Sequence, residues 1–444
     1  MTSDPTLASS EQTPGTAGQS AAARDRQNLR SLHPSALRER LPVEGFREYW
    51  YPAIREHSVP RKRPTTVKLV NTDVVFFRGK NGRVAAVGDA CPHRGGSLGV
   101  GKCEFAGTIT CPYHGWTFDE NGECLAVLGE GPESRIPGMP EARARTYPTK
   151  TFKGLVWVWM GDGEPAPVEE DIPPQFFDEG LQVQYSIQKW KCNWRPACEN
   201  MLDSHVFYVH RKSLFFLLTP TTLLLNLSGL GPRRPRPRVL KGRSVSYRSD
   251  QVAAIRRLSP KDDPGAANGI GNTAGSDAGQ ARQWPPREGY SEAYPGLDGQ
   301  RWPRDSWRLP WHRLMDIVLK LRPKADPLIS DDEWSNFHLP GLFQVDYQRF
   351  LYSRLTVPID EDTSRIFYFH TTRRGGRLRD YWDTAYFVLF HNWMMNYNFS
   401  GQDLDAVEPL HYDTPEHLSA TDVFPLTIRR AMVEHARRAP ADRG

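Results

Sequence analysis

Cysteine and histidine are mixed in two short segments, Cys91-Pro92-His93 and Cys111-Pro112-Tyr113-His114. Two thiolates and two imidazoles can hold a cluster of two irons and two sulfides, one iron bound through sulfur and the other through nitrogen. Replacing two thiolates by neutral imidazoles removes negative charge from the ligand set and raises the reduction potential, so such a site accepts electrons readily. A structural zinc ion also takes two Cys and two His, but zinc fingers usually keep the cysteines together and the histidines together. Six Cys in 444 residues are too few for a disulfide scaffold, and Cys103, Cys124 and Cys192 read as small buried or surface thiols.

A second candidate lies in NWRPACENMLDSHVFYVH, which carries His205 and His210. Two histidines and one carboxylate on one face of an Fe(II) ion leave positions open for dioxygen. At about 100° per residue, Glu199, Asp203 and His210 share a helix face, whereas His205 lies roughly 200° from Asp203. A regular helix therefore does not bring both histidines to one ion. A π-bulge or an irregular helix end would restore convergence, and such distortions often mark functional sites.

The segments CPHRGGSLGVGKC and CPYHGWTFDENGEC resemble the two cluster-binding loops of Rieske iron-sulfur proteins, specifically of the Rieske non-haem iron oxygenases. The stretch from Glu199 to His210 resembles that family's helix carrying Glu-Asn, then Asp, then two His, although Ser204 alone separates Asp203 from His205 where the family usually has two residues. By this resemblance Cys91, His93, Cys111 and His114 hold a 2Fe-2S cluster, and His205 and His210 hold a mononuclear Fe(II). Asp203 would be the bridging carboxylate that links a ligand histidine to the cluster of a neighbouring subunit; otherwise it is an ordinary helix carboxylate. Asn398 to Glu408 resembles the family segment that supplies the carboxylate ligand, with Asp403 in that role, Asp405 as the fallback, and a solvated helix start as the plain alternative for either.

What the resemblance implies is an α+β chain: an N-terminal antiparallel β Rieske domain, then a helix-grip-type catalytic domain with an antiparallel sheet and C-terminal helices, assembled in rings of three. Electrons would come from a ferredoxin, a ferredoxin reductase or both, with NAD(P)H acting only indirectly through the reductase. The implied function is that of a terminal oxygenase using dioxygen to hydroxylate or oxidatively dealkylate an apolar, aromatic or polycyclic organic substrate. The alternatives are cis-dihydroxylation of an aromatic ring, or a Rieske electron-transfer protein whose mononuclear site has lost function.

The elements that must position these residues can be outlined from composition and pattern. Residues 1–44 form a tail and lead-in, the first part rich in Ser, Thr, Ala, Gly and Pro and unable to recover the entropy of ordering. Short β-type runs, among them Thr66 to Val70, Val74 to Arg78, Val84 to Val87, Thr108 to Cys111 and Leu155 to Met160, punctuated by turn pairs such as Asn81-Gly82 and Asn121-Gly122, predict an antiparallel β domain over 45–162. The Pro-rich acidic stretch at 163–180 reads as a linker. Residues 181–444 make the catalytic domain, opening with the alternating Val183 to Trp190, followed by a helical stretch from about Cys198 to Arg211. A low-complexity insertion interrupts it at about 260–304. Strands recur at Phe343 to Val345, Phe350 to Val357 and Arg365 to Thr371, followed by an aromatic helix from about Asp380 to Asn398 and a last one near Ala420 to Arg438.

Charge excludes little. Fifty-seven basic against 52 acidic side chains leave +5, so a nucleic-acid partner is not indicated, and RRPRPRVLKGR at Arg233 to Arg243 reads first as a solvated flank. No apolar run reaches the roughly 20 residues of a spanning helix, and the first residues resemble neither a secretory signal nor a transit peptide, which makes the cytoplasm the expected location. No Walker loop or Rossmann fingerprint is present, so the chain has no recognisable nicotinamide or flavin site of its own. Tyr381, Trp382, Tyr386, Phe387, Phe390, Trp393 and Tyr397 are expected mostly in the core, with one or two lining an apolar pocket.

Overall fold

A computed structural model of the chain describes residues 34–202, 209–210, 213–214, 238–240, 244–246, 328, 337–347, 350–418 and 422–437. Asp203, His205, the stretch 1–33 and the insertion at 260–304 lie outside the described residues, as does Arg233 to Arg243 apart from Arg238–Leu240.

After a short helix α1 (Pro34–Arg38), the first half is built from β1 (Trp50–Arg55), β2 (Thr65–Leu69), β3 (Thr72–Arg78), β4 (Val84–Gly88), β5 (Ile109–Thr110), β6 (Trp116–Phe118), β7 (Cys124–Val127), β8 (Thr146–Tyr147), β9 (Thr149–Phe152) and β10 (Leu155–Trp159). They form three antiparallel sheets in the orders β1-β10-β9, β2-β3-β4-β8 and β5-β6-β7. Most neighbours are consecutive strands joined by short turns, the local connectivity that hairpin chemistry favours, while β1 with β10 and β4 with β8 pair across longer stretches of chain.

The second half is one antiparallel sheet of seven strands: β11 (Leu181–Trp190), β12 (Arg238–Leu240), β13 (Ser244–Ser246), β14 (Phe337–His338), β15 (Leu342–Asp346), β16 (Leu351–Pro358) and β17 (Ser364–Arg373), in the order β11-β17-β16-β15-β14-β13-β12. Helix α2 (Trp194–Glu199) follows β11, and Asn193 caps it by accepting from the Arg195 amide. A continuous helical run crosses the sheet after β17: α3 (Arg377–Tyr386), a π-helical segment (Phe387–Phe399) and α4 (Ser400–Val407). Helix α5 (Val423–His435) closes the described chain. This is the expected α+β order, with strand ends shifted by one or two residues from the apolar runs that mark them.

Register sorts the large sheet into two faces. Val183, Tyr185, Ile187, Phe367, Phe369 and Leu355 share the face that meets the first half, where Trp157 stacks on Phe369 at 6.4 Å and Phe176 meets it edge-on at 5.1 Å. The opposite face carries Gln184, Ser186, Gln188, His370, Tyr368, Tyr352 and Arg354, and the helical run covers it. The sheet is therefore buried on both sides, apolar toward one half and polar toward the helix. The stretch 163–180 is packed, not extended: Ile172 and Phe176 enter the core, and Asp171 accepts from the Trp50 amide and from Arg437.

The aromatic helix corrects one expectation. Of the seven rings, Phe387 alone is buried, while Tyr381, Trp382, Tyr386, Phe390, Trp393 and Tyr397 lie exposed. The sheet takes the polar side of this helix, so its aromatic side turns outward.

Candidate metal centres

The two Cys/His loops are copies of one backbone design. Cys91 donates its amide to the Gly96 carbonyl at 2.8 Å and accepts from the Gly95 amide at 2.8 Å; Cys111 donates to Trp116 at 2.8 Å and accepts from Gly115 at 3.1 Å. Gly95 and Gly115 both stand at φ +72°, the left-handed region that closes each loop and that a side chain would strain. Asp89 braces the first loop by accepting from the Ser97 hydroxyl and the Gly99 amide. The loops press together closely enough that a Cβ on Gly96 would stand 3.2 Å from Cys111 Sγ.

Within this pair the sulfurs point inward and the imidazoles outward. Cys91 and Cys111 are buried on a core of Val75, Phe77, Val87, Leu98, Ile109 and Phe118. Burial, with the Cys111 thiol beside it, pushes the Cys91 thiol up to about 12, and a metal that binds this sulfur must displace its proton. His93 is exposed and His114 half-buried, their ring centres 4.6 Å apart, and Trp116 stacks flat on His93 at 4.9 Å. Among the described residues no three Cys, His, Asp or Glu side chains converge on a single point. Two pairs of donors are what a binuclear cluster needs, since bridging sulfides complete each iron.

The second constellation forms where the polar face of the sheet meets α4. His210 is buried, its Nε2 is 3.0 Å from Asp403 Oδ1, and its Nδ1 is 3.3 Å from Gln402 Oε1. Phe399 stacks on the imidazole at 3.7 Å. Asp403 Oδ2 lies 3.4 Å from Arg354 Nη1 on β16, and Asn200 donates to Asp403 Oδ1 at 3.5 Å. Arg354 is held in turn by the Ala197 and Asn200 oxygens and by the Trp190 ring, 4.2 Å away. Asp403 thus meets His210, while Asp405 two residues on is exposed. A buried imidazole and carboxylate aimed at each other are a donor set that suits a divalent metal.

Glu199, on the same sequence stretch, serves a different purpose. Its carboxylate takes Arg429 of α5 at 2.5 and 2.7 Å and the Tyr412 hydroxyl at 2.8 Å, an ion pair that fastens α2 to the last helix. Burial raises its pKa and Arg429 opposes that rise. A cleft of about 640 Å³ beyond α2, bordered by Asn193, Arg195, Glu408 and Tyr412, contains neither His210 nor Asp403.

Sequence reasoning passed over Trp116, Arg354, Phe399 and Gln402. Arg354 had a signal: a guanidinium in LYSRLTVP, a strand buried at every position, has to answer a buried negative charge.

A family model described as a Rieske [2Fe-2S] domain matches residues 49–147, and one described as a homotrimeric ring hydroxylase matches residues 159–241. The terminal oxygenase component of carbazole 1,9a-dioxygenase from Metapseudomonas resinovorans is 34% identical over 197 residues, 44% of this chain and 50% of that protein. The oxygenase subunit of vanillate O-demethylase from Pseudomonas sp. is 35% identical over 173 residues, 37% of this chain and 45% of its own length. The chain thus spans about half the length of these curated relatives. The solved reduced complex between oxygenase and ferredoxin in carbazole 1,9a-dioxygenase aligns with a TM-score of 0.61 at 22% identity, covering 93% of this chain and 94% of that one, a likeness of fold.

Proposed function

We propose that this chain, which matches a Rieske [2Fe-2S] domain and a ring-hydroxylase model in succession, is a Rieske non-haem iron oxygenase, the terminal oxygenase of a multicomponent system that hydroxylates or oxidatively dealkylates an apolar, aromatic or polycyclic substrate. The observation that carries this reading is the buried His210 to Asp403 contact at 3.0 Å, which gives the chain a second metal-binding donor set besides its Cys/His loops. In this reading Cys91, His93, Cys111 and His114 hold the 2Fe-2S cluster, and His205, His210 and Asp403 hold the mononuclear iron. When bound, the cluster would supply electrons one at a time and the iron would serve to activate dioxygen.

The residues then have separable tasks. His93 and His114 present their edges toward solvent, the side from which a partner can deliver electrons. Arg354 and Asn200 fix the rotamer of Asp403, while Gln402 and Phe399 fix the plane of the His210 ring, so both donors would be held in place for the metal. Asp203 is the proposed link between this site and the cluster of the next subunit, in a trimer of the kind named by the matching family model. A ferredoxin fed by a reductase would be the electron donor, NAD(P)H acting only through the latter. No described helix is long and apolar enough to cross a membrane, and we place the system in the cytoplasm. Domain limits of 45–162 and 181–444, with a linker between, suit this division of work.

Iron and acid-labile sulfide counted on anaerobically purified protein test the reading. About three irons to two sulfides per chain is the expected result. About two to two would reduce the chain to an electron carrier, and zinc in place of iron would remove the proposal.

A further inference from the structure

Between the polar face of the large sheet and the π-helical segment, two histidine rings meet with three of their four nitrogens unbonded. His370 of β17 and His391 of the π segment are 4% and 1% exposed, and their ring centres lie 3.9 Å apart. His370 Nδ1 and both nitrogens of His391 have no hydrogen-bond partner. Gln184, directly opposite His370 in the register, and Asn396 on the same helical run each bury a side-chain oxygen without a donor. Phe350 closes over both imidazoles at 4.6 and 4.7 Å, and Phe387 lies 5.6 Å from His370. Unpaired polar atoms at this depth are costly, and where natural proteins keep them they commonly await a ligand or serve a function.

The location ties these rings to the metal-binding end of the same layer. Tyr352 stands opposite His370 on β16 and bonds the Ser400 hydroxyl at 3.2 Å. Arg354, two residues further and about 7 Å along the strand, contacts Asp403 at 3.4 Å. One sheet face and one helical run therefore carry the Asp403 carboxylate at one end and two imidazoles with unbonded nitrogens at the other.

We propose that His370 and His391 are the distal polar end of the substrate site, binding a neutral hydrogen-bonding group (hydroxyl, carbonyl or N–H) that the aromatic substrate carries away from its oxidised atom. The inference rests on the oxygenase reading, since it takes His210 and Asp403 as the reactive end. Each neutral imidazole offers one donor and one acceptor, which a hydroxyl matches in both senses. Burial keeps both rings uncharged, and the groups acting on them are burial and, for His370, the neighbouring imidazole. A carboxylate placed there would be stripped of water with no counter-charge.

The test uses the iron-loaded full chain under anaerobic conditions with three probes of one skeleton: biphenyl, 4-hydroxybiphenyl and biphenyl-4-carboxylate, titrated by tryptophan fluorescence. The wild type is expected to bind the hydroxyl compound about ten-fold more tightly than biphenyl, and the carboxylate more weakly than the hydroxyl compound. His391→Phe and, separately, His370→Phe should bring the first two probes to equal affinity while iron content and the reduced-cluster spectrum stay unchanged. Equal affinities in the wild type, a preference that survives both substitutions, or tightest binding of the carboxylate would overturn the proposal, the wild-type comparison standing even if a variant fails to fold. A metal ion beyond the expected three irons, lost on His391→Phe, would overturn it in favour of a metal site. Iron near two per chain would instead count against the oxygenase reading itself, a separate result on the same sample.

Discussion

At the scale of single residues, the contact that decides most is Arg354 against Asp403. Both side chains are buried, and a carboxylate in that position without a positive neighbour would bear the full cost of desolvation. Arg354 provides that neighbour in the metal-free chain. A bound divalent ion would provide another, so guanidinium and metal are partly interchangeable as counter-charges. Arg354→Met should therefore destabilise metal-free protein by about 3–5 kcal/mol and iron-loaded protein by distinctly less. Urea unfolding with and without Fe(II) reads the difference. An equal loss in both states would mean that Arg354 acts by bracing β16 against α2 through the Ala197 carbonyl and the Trp190 ring, not by charge.

At the scale of elements, the π-helical segment over β17 explains both a success and a failure of sequence reading. Strands β3, β4, β10 and β16 were legible because their apolar runs are short and bounded by turn residues. The Cys/His loops were legible because ligand chemistry restricts residue type at fixed spacing. The segment FVLFHNWMMNYNF was not: it has dense apolar character, and its sheet-facing residues Phe387, His391, Asn396 and Ser400 recur every four to five positions, not at the α-helical 3.6. Reading it as a core α-helix assigns the exposed aromatic stripe to the interior and overlooks His391. Convergence of His210 on Asp403 was equally beyond spacing, because β15 to β17 and a sheet register intervene between them.

The same packing has a pH consequence. Burial lowers His370 to about 2 and His391 to about 3, the first with help from the second ring. An unfolded chain protonates both near 6.5. Between about pH 6.5 and 4 the unfolded state therefore binds protons that the folded state refuses, and stability falls as pH falls, by about 1.4 kcal/mol per pH unit for each ring. His391→Phe should remove about half of that slope. Asp171 and Glu199, which burial pushes upward, contribute with the opposite sign, but they are common to both proteins. The difference between the two stability-against-pH curves thus isolates the imidazole, and superimposable curves would show that His391 takes up its proton without cost.

At the scale of the whole molecule, the core does not stop at the boundary between the two halves. Trp157 and Phe176 from the first half and its exit stretch pack with Phe367 and Phe369 of the large sheet, and Leu37, Tyr49 and Trp50 belong to the same cluster as Ile428 and Met432 of α5. Polar contacts follow the same course: Arg437, just past α5, bonds the Glu48 carbonyl and both oxygens of Asp171, while Asp171 also accepts from the Trp50 amide. A chain so joined should unfold in one step, with cluster absorbance and far-ultraviolet dichroism sharing a denaturant midpoint. Trp157→Ala removes the largest ring from that junction and should cost about 3–5 kcal/mol. Because the Cys/His loops rest on a separate cluster of Val75, Phe77, Ile109 and Phe118, the loss should fall mainly on the attachment of the large sheet. The two signals should then separate, the cluster outlasting the sheet. Midpoints already apart in the wild type would show the halves to be independent folding units, and the shared core would then be contact without cooperativity.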